Sequence, residues 1–93
     1  MIKSFGDRET ELIYNQVKSK QFPYEIQKRA LMKLMLIDPA ESENDLRSPP
    51  ANKLEKLKGK LNDHWSIRIN QQWRIIFKFH AGDAYGVTIV DYH

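Results

Sequence analysis

The chain has 93 residues, which leaves room for one modest hydrophobic core, so we expect residues 1–93 to form a single domain. It contains no cysteine, which excludes disulfide bonds, thiolate metal sites and a cysteine nucleophile. Fifteen Lys and Arg residues against twelve Asp and Glu give a net charge of +3, an excess that suits a polyanionic partner without requiring one.

The N-terminal residues predict a short strand and a first helix. Residues 2–5 alternate apolar and polar side chains and lead into a Gly-Asp turn, which predicts a strand that ends there. Asp7 follows as a candidate helix N-cap. Ile13 and Val17 lie at helical spacing among charged residues, which predicts a helix over residues 8–20.

A second helix is predicted after Pro23, which fits the first position of a helix because its missing N–H costs nothing there. The apolar residues that recur on one face of this helix are Ile26, Ala30, Leu34 and Ile37. Met32 and Met35 widen that face, and we expect both to fill the core. Asp38-Pro39 ends the helix, and the polar residues 41–50 predict a connecting loop.

Beyond residue 53 the apolar period changes to two, which predicts three antiparallel strands. The expected strands cover residues 65–69, 73–79 and 84–90. Trp65 and Trp73 fall on the apolar side, so we expect them to pack in the core rather than stack on bases. We expect Tyr85, Val87 and Ile89 to share a face of the last strand.

These elements predict an α+β fold. Two N-terminal helices pack on one face of a small, mainly antiparallel sheet and leave the other face available. The chain has no apolar run long enough to span a membrane and lacks the hydrophobic stretch of a signal peptide. We therefore expect a cytoplasmic protein without a membrane partner.

The register of the first hairpin predicts a cationic face. Pairing apolar residues across the hairpin sets Ile67 opposite Ile75, and this register sets Arg68 opposite Arg74 on the other face. The same alternation places Tyr92 on the arginine face. Like charges directly opposite one another destabilise a sheet, so an anion or an acidic partner could neutralise the pair. Alternatively, both guanidinium groups extend into solvent at little cost.

The sequence motifs do not predict a cofactor site. The sequence has no Gly-rich phosphate loop, no His pair at metal-ligand spacing and no nucleophile elbow, so we expect neither a metal nor another cofactor. Lys, Arg, Glu, Tyr and His residues instead gather near the C-terminal strands. Such side chains suit metal-free RNA cleavage, which must deprotonate the ribose 2′-hydroxyl, stabilise the phosphorane and protonate the leaving 5′-oxygen.

Five short motifs occur in a characteristic order. They are Lys53-Leu54-Glu55-Lys56-Leu57-Lys58-Gly59, His64-Trp65-Ser66-Ile67, Asn70-Gln71-Gln72-Trp73-Arg74-Ile75-Ile76-Phe77, Gly82-Asp83-Ala84-Tyr85 and Asp91-Tyr92-His93. In this order and spacing, the motifs resemble the HigB branch of the RelE/ParE superfamily of bacterial toxins. The resemblance spans nearly the whole chain and is least in the first helix.

The resemblance implies a toxin of a type II toxin–antitoxin system that cleaves mRNA in the ribosomal A site and so inhibits translation. The implied partners are the 70S ribosome with its mRNA and a cognate, HigA-like helix-turn-helix antitoxin. Operator DNA would be reached only through that antitoxin. The antitoxin would cover or distort the basic face, or make the toxin too bulky to enter the A site.

The resemblance also assigns roles to five residues. Lys58 and Arg74 match the family's phosphate-contacting cations, and Asp91, Tyr92 and His93 match its functional C-terminal tripeptide. His93 is the candidate general acid or base, because the unperturbed pKa of histidine, about 6.5, permits proton exchange near neutrality. Tyr92 could stack on a base or orient one. Asp91 could hold an imidazole or accept a hydrogen bond from a base.

Glu55 departs from the family pattern, because relatives carry a histidine in that strand. The carboxylate is either an alternative base or a solvated neighbour of Lys53 and Lys58, since it cannot stabilise a phosphorane as an imidazolium would. The remaining cations of this basic half are candidate nucleic-acid-binding residues or ordinary solvated side chains. They are Lys53, Lys56, Lys60 and Arg68.

Three other functions remain compatible with the sequence. A ParE-like protein shares the fold but acts on DNA gyrase, and the combination of Lys58, Arg74 and His93 argues against it. A non-catalytic module could bind rRNA or an acidic protein through the same basic charge. An attenuated relative, in which Glu55 marks lost activity, is the third alternative.

Overall fold

Two helices cover one face of an antiparallel sheet in the computed structural model, which describes residues 1–92. Within those residues the helices are α1 (Arg8–Tyr14) and α2 (Tyr24–Ile37), and the strands are β1 (Glu55–Lys56), β2 (Trp65–Arg68), β3 (Trp73–His80) and β4 (Asp83–Asp91). The strands lie in the order β1-β2-β3-β4, each antiparallel to its neighbour. This arrangement confirms the predicted α+β fold and adds β1 to the three predicted strands.

Helix α1 begins as predicted but is shorter than predicted. The Asp7 carboxylate accepts a hydrogen bond of 2.8 Å from the backbone N–H of Thr10, which confirms the N-cap. The helix ends at Tyr14 because Gln16 adopts a left-handed conformation with a φ of 64°. Val17 lies beyond this break and is half exposed, so of the two apolar residues that predicted the longer helix only Ile13 is buried.

Helix α2 buries the apolar face that its periodicity predicts. Pro23 is the N-cap rather than the first helical residue, and the helix ends at Ile37, directly before Asp38-Pro39. The four buried residues of the helix are Ile26, Ala30, Leu34 and Ile37. The prediction that Met32 and Met35 fill the core is wrong, because each is 59% exposed.

The N-terminal segment covers the outer edge of β4. Ile2 and Phe5 form isolated parallel bridges with Ala84 and Val87, rather than the continuous strand predicted over residues 2–5. Farther along this edge, the hydroxyl of buried Thr10 accepts a hydrogen bond from the backbone N–H of Ile89. These contacts satisfy backbone groups that an open edge would expose.

The central hairpin has the predicted register, with Ile67 opposite Ile75 and Arg68 opposite Arg74. Trp65 and Trp73 pack against the buried core, as predicted. The buried apolar residues that the strands and the adjoining Ile69 contribute to this core are Ile67, Ile69, Ile75, Phe77, Ala84, Val87 and Ile89. Both arginines lie on the face of β2 and β3 opposite the one that carries Ile67 and Ile75.

Strand β4 contains an irregularity that the alternating pattern did not predict. The β3–β4 register shifts between Ile76 and Lys78, and Gly86 has a φ of 61° at this point. Tyr85 therefore lies opposite Lys78, on the face away from the helices, whereas Val87 is buried in the core. The predicted common face for Tyr85 and Val87 is wrong.

No helix within residues 1–92 is long and apolar enough to cross a membrane.

Candidate active site

Arg74 lies at the centre of the helix-free face of the sheet. It projects from β3, is 8% exposed, and its Nη2 donates to the backbone carbonyl of Lys53 at 2.7 Å and to that of Ser66 at 3.4 Å. These two acceptors belong to different segments, so they fix the guanidinium plane before any ligand binds. A cation held in this way is preorganised to stabilise an anion.

Glu55 is the carboxylate that faces this guanidinium. It lies on β1 opposite Ser66, and its Oε1 is 3.7 Å from Nη1 of Arg74. The Glu55 side chain is half exposed, which means that solvent screens the pair and that the carboxylate can move away. Arg74 is thus paired rather than extended into solvent. The predicted alternative of a solvated Glu55 beside Lys53 and Lys58 is replaced by this ion pair with Arg74.

Tyr92 forms the wall beside Arg74 and Glu55. The Cζ atom of Arg74 lies 5.2 Å from the centroid of the Tyr92 ring, and the phenolic O–H donates to Oε1 of Glu55 at 3.5 Å. The backbone N–H of Tyr92 donates to the carbonyl of Gln72, which holds this residue against the β2–β3 turn. The predicted position of Tyr92 on the arginine face is confirmed.

Two buried polar atoms beneath this site have unused hydrogen-bonding capacity. Within the described part of the chain, Nε of Arg74 and Oγ of Ser66 have no hydrogen-bond partner. Ser66 is fully buried and lies opposite Glu55 in the sheet. The family motifs assign no role to Ser66, although its alternation with Arg68 in β2 places it on the arginine face.

Lys58 lies on the far side of a shallow pocket next to Glu55 and Tyr92. The pocket has a volume of about 380 Å³ and is lined by Glu55, Lys56, Leu57, Lys58, Leu61 and Tyr92. Lys58 is exposed at the start of the 3₁₀ turn Gly59–Leu61 and makes no hydrogen bond or ion pair to residues 1–92. The structure therefore brings Lys58, Glu55, Tyr92 and Arg74 to one region, with Lys58 free to meet an anion.

The four candidate binding cations occupy different surroundings. Lys56 pairs with Trp65 in the β1–β2 ladder, on the opposite face from Glu55, and its Nζ lies 4.9 Å from the indole ring. Lys60 is exposed within the 3₁₀ turn after Lys58. Lys56 nevertheless lines the same pocket as Lys58, whereas Lys60 does not line it.

Lys53 and Arg68 also differ from each other. Lys53 is exposed and contributes its backbone carbonyl to the support of Arg74, in a left-handed conformation with a φ of 46°. Arg68, although directly opposite Arg74 in the ladder, lines a separate cavity beside α2. The two arginines are paired in the ladder as predicted, but Arg74 lies beside Glu55 and Tyr92 whereas Arg68 lines the cavity beside α2.

The C-terminal tripeptide is only partly placed. Asp91 lies opposite Trp73, on the other side of the strand from Tyr92, and its Oδ2 accepts a hydrogen bond of 3.1 Å from Nε2 of Gln72. The predicted catalytic residue His93 lies outside the described residues. Tyr92 thus belongs to the Arg74 site, whereas the side chain of Asp91 contacts the β2–β3 turn at the last residue of β4.

The positive charge of this face is concentrated away from the end near Lys78. Lys78 forms an ion pair of 4.0 Å with Asp63, and His64 lies 2.7 Å from the same carboxylate. The hydrogen bond with His64 lowers the pKa of Asp63, and the charge of Lys78 contributes in the same direction. Lys78 is therefore partly neutralised by Asp63, whereas Lys58 has no acidic partner among the described residues.

Comparison with known proteins identifies the family to which the sequence is similar. Residues 3–93 match the model of a family described as the RelE-like toxin of type II toxin–antitoxin system HigB. The chain is 38% identical over 94 residues to Toxin HigB-1 of Vibrio cholerae serotype O1, covering 100% of this chain and 98% of that protein. It is 36% identical over 93 residues to Endoribonuclease HigB of Proteus vulgaris, covering 100% of both.

Solved structures with the same fold include two other proteins. The YoeB–YefM toxin–antitoxin complex from Staphylococcus aureus contains a chain that matches with a TM-score of 0.62 and 24% identity, over 100% of this chain and 95% of that one. A mutant form of YafQ from E. coli matches with a TM-score of 0.63 and 15% identity, over 98% of this chain and 91% of that one. At these identities the likeness concerns the fold alone.

Proposed function

Since the chain belongs to the HigB-like family of RelE-like toxins of type II toxin–antitoxin systems, we propose that it is a ribosome-dependent endoribonuclease that cleaves mRNA in the ribosomal A site. The observation that carries the proposal is the guanidinium of Arg74, fixed by two backbone carbonyls and bordered by Glu55 and Tyr92. The Proteus vulgaris relative is named an endoribonuclease, which supports the same reaction class.

The proposed reaction is an intramolecular transesterification. The ribose 2′-oxygen loses its proton and attacks the adjacent phosphorus, the bond from phosphorus to the 5′-oxygen breaks, and the 5′-oxygen receives a proton. The products are a 2′,3′-cyclic phosphate and a 5′-hydroxyl. Arg74 and Lys58 would stabilise the negative charge of the phosphorane. Lys58 lines the pocket, and Arg74 contacts two other residues that line it, Glu55 and Tyr92.

In this proposal the RNA phosphate replaces Glu55 as the partner of Nη1 of Arg74. The exchange is feasible because Glu55 is half exposed and its contact with Nη1 is long, at 3.7 Å. The displaced carboxylate then lies beside the ribose, where it can serve as the alternative base. Tyr92 would orient a base through its ring, which already lies against the guanidinium.

Proton transfer to or from the reacting oxygens is assigned to His93, with Asp91 as the residue that holds the imidazole or accepts a hydrogen bond from a base. This assignment rests on the sequence motif Asp91-Tyr92-His93. No metal is needed in the proposed reaction, since guanidinium and ammonium groups supply the positive charge at the phosphorane. No other cofactor takes part.

The proposed partners follow from the family. The chain would be neutralised by its cognate helix-turn-helix antitoxin, through which alone it would reach operator DNA, and it would act on the 70S ribosome in the cytoplasm. The S. aureus structure named above is a complex of a toxin with its antitoxin, which supports this kind of partner.

End-group analysis of the cleaved RNA tests the proposed chemistry. Attack by the 2′-oxygen leaves a 5′-hydroxyl on the downstream fragment, so that fragment should be labelled by polynucleotide kinase without prior phosphatase treatment. The control is a fragment made by a metal-dependent nuclease, which carries a 5′-phosphate and needs the phosphatase step. A 5′-phosphate on the toxin's fragments would contradict the proposed mechanism, because it requires water as the nucleophile.

A further inference from the structure

A second cavity lies beside α2, away from the candidate active site. It has a volume of about 810 Å³, and we call it the α2 groove. One wall is formed by Arg29, Met32, Lys33 and Leu36 of α2, and the other by the β2–β3 hairpin, including Arg68. None of its lining residues lines the pocket at Glu55, Lys58 and Tyr92.

The α2 wall of the groove exposes apolar side chains. Met32 is 59% exposed and Leu36 is 39% exposed. The two residues are one helical turn apart, so their side chains lie on the same side of the helix and form a continuous patch. Exposed apolar surface of this kind marks interaction sites, and methionine adapts to irregular partners because its side chain is flexible and polarizable.

The rim of the groove is cationic. Arg29, Lys33 and Arg68 all line it, and no Asp or Glu within residues 1–92 does so. Burial and the neighbouring charge of Arg29 lower the pKa of Lys33. The ammonium of Lys33 donates a hydrogen bond to the side-chain carbonyl of Asn52, and Nη1 of Arg29 donates to the backbone carbonyl of Ile69. Both acceptors are uncharged. The positive charge at the groove is therefore uncompensated.

These features discriminate between two classes of ligand. Single-stranded RNA binds proteins through stacking of bases on aromatic rings, and no aromatic side chain of the described residues lines the groove. Apolar side chains flanked by carboxylates complement both the Met32–Leu36 patch and the cationic rim. The chemistry of the groove therefore fits an acidic, amphipathic protein segment.

We propose that the α2 groove binds a segment of the cognate antitoxin that presents apolar side chains to Met32 and Leu36 and carboxylates to Arg29 and Lys33. The inference rests on membership of a type II toxin family, which requires an antitoxin, and is independent of the cleavage chemistry. Burial of the Met32–Leu36 patch supplies the apolar part of the binding energy, and the cationic rim fixes the orientation of the segment.

The test compares two methionines of the same helix. The dissociation constant of the toxin for the purified antitoxin from the neighbouring gene is measured by calorimetry for the wild type, Met32→Glu and Met35→Glu. Both methionines are 59% exposed, but Met35 does not line the groove. Met32→Glu should weaken binding at least tenfold, because it places a carboxylate where apolar and acidic groups of the antitoxin would lie, whereas Met35→Glu should bind within twofold of the wild type.

Circular dichroism confirms that both variants are folded, which the exposure of the two side chains favours. Wild-type affinity for Met32→Glu, or equal weakening by both substitutions, would overturn the proposal. So would a Met32→Glu toxin that retains its affinity for the antitoxin but loses ribosome-dependent cleavage, since that result would identify the groove as an RNA surface. The binding measurement contains neither ribosome nor RNA, so its outcome stays separate from that of the proposed cleavage activity.

Discussion

Replacing Arg74 with alanine should reduce the rate of ribosome-dependent mRNA cleavage about 10²- to 10³-fold, which is the usual effect of removing one preorganised donor from a developing oxyanion. Two backbone carbonyls and Glu55 hold the guanidinium in one orientation, so the loss should appear in the rate constant of the chemical step. Single-turnover cleavage with saturating toxin measures that constant directly.

The substitution also removes buried hydrogen bonds, so its effect on folding has to be separated from its effect on catalysis. Arg74→Lys keeps the positive charge but loses the planar pair of donors, and it should recover only part of the rate. Arg47→Ala is the matched control, because Arg47 is exposed and bonds only to the side chain of Asn44 among the described residues. A folded Arg74→Ala toxin with the wild-type single-turnover rate would exclude the proposed role of Arg74.

The second large effect is expected at the C-terminal residue. His93→Ala should slow cleavage about 10²- to 10⁴-fold, the range for loss of a general acid or base. It should also remove the inflection of the pH–rate profile that a histidine with a pKa of about 6.5 produces. The measurement is the single-turnover rate between about pH 5.5 and about pH 8.5, roughly one unit below and two units above that value.

His80 provides a control of the same residue type, because it is exposed at the end of β3. His80→Ala should leave both the rate and the pH profile unchanged. If His93→Ala retains the inflection, the titrating group lies elsewhere, and Glu55 becomes the first residue to test. If both substitutions reduce the rate equally, His93 has no special role in the reaction.

Much of the fold could be predicted because the helical spacing in α2 and the strand alternation in β2 and β3 both match the residues that the structure buries. The helical spacing of Ile26 to Ile37 gave the buried face of α2, and the alternation in β2 and β3 gave the pairing of Arg68 with Arg74. Both patterns are set by burial on one side of a regular element. The placement of Tyr92 beside Arg74 followed from the same alternation.

The wrong predictions concern the length of α1, the face of Tyr85 and the burial of two methionines. Apolar periodicity alone does not indicate where the backbone departs from a regular helix or strand. The left-handed conformation at Gln16 ends α1 early, and the β-bulge at Gly86 moves Tyr85 to the other face. Met32 and Met35 are apolar but are not among the buried positions of α2, which are Ile26, Ala30, Leu34 and Ile37, so they are exposed. Each error occurred where backbone geometry or packing departed from the regular repeat.

The candidate site was predicted in its residues but not in its contacts. The family motifs supplied Lys58, Arg74 and Tyr92, whereas the ion pair of Glu55 with Arg74 depends on the two-residue strand β1. A strand this short has too little sequence to show a period. The same strand carries Lys56 to the opposite face, which the charge pattern alone did not indicate.

We propose that this toxin cuts mRNA only on the ribosome, and primer extension on a reporter mRNA tests that dependence. Purified wild-type toxin is incubated with the mRNA with and without 70S ribosomes, alongside folded Arg74→Ala toxin. We predict discrete breaks within the translated codons in the presence of ribosomes, none on free mRNA, and their loss with Arg74→Ala. Intact mRNA on ribosomes, with a wild-type toxin that still arrests growth, would contradict the claim and favour an inhibitor that binds the ribosome or gyrase without cleavage.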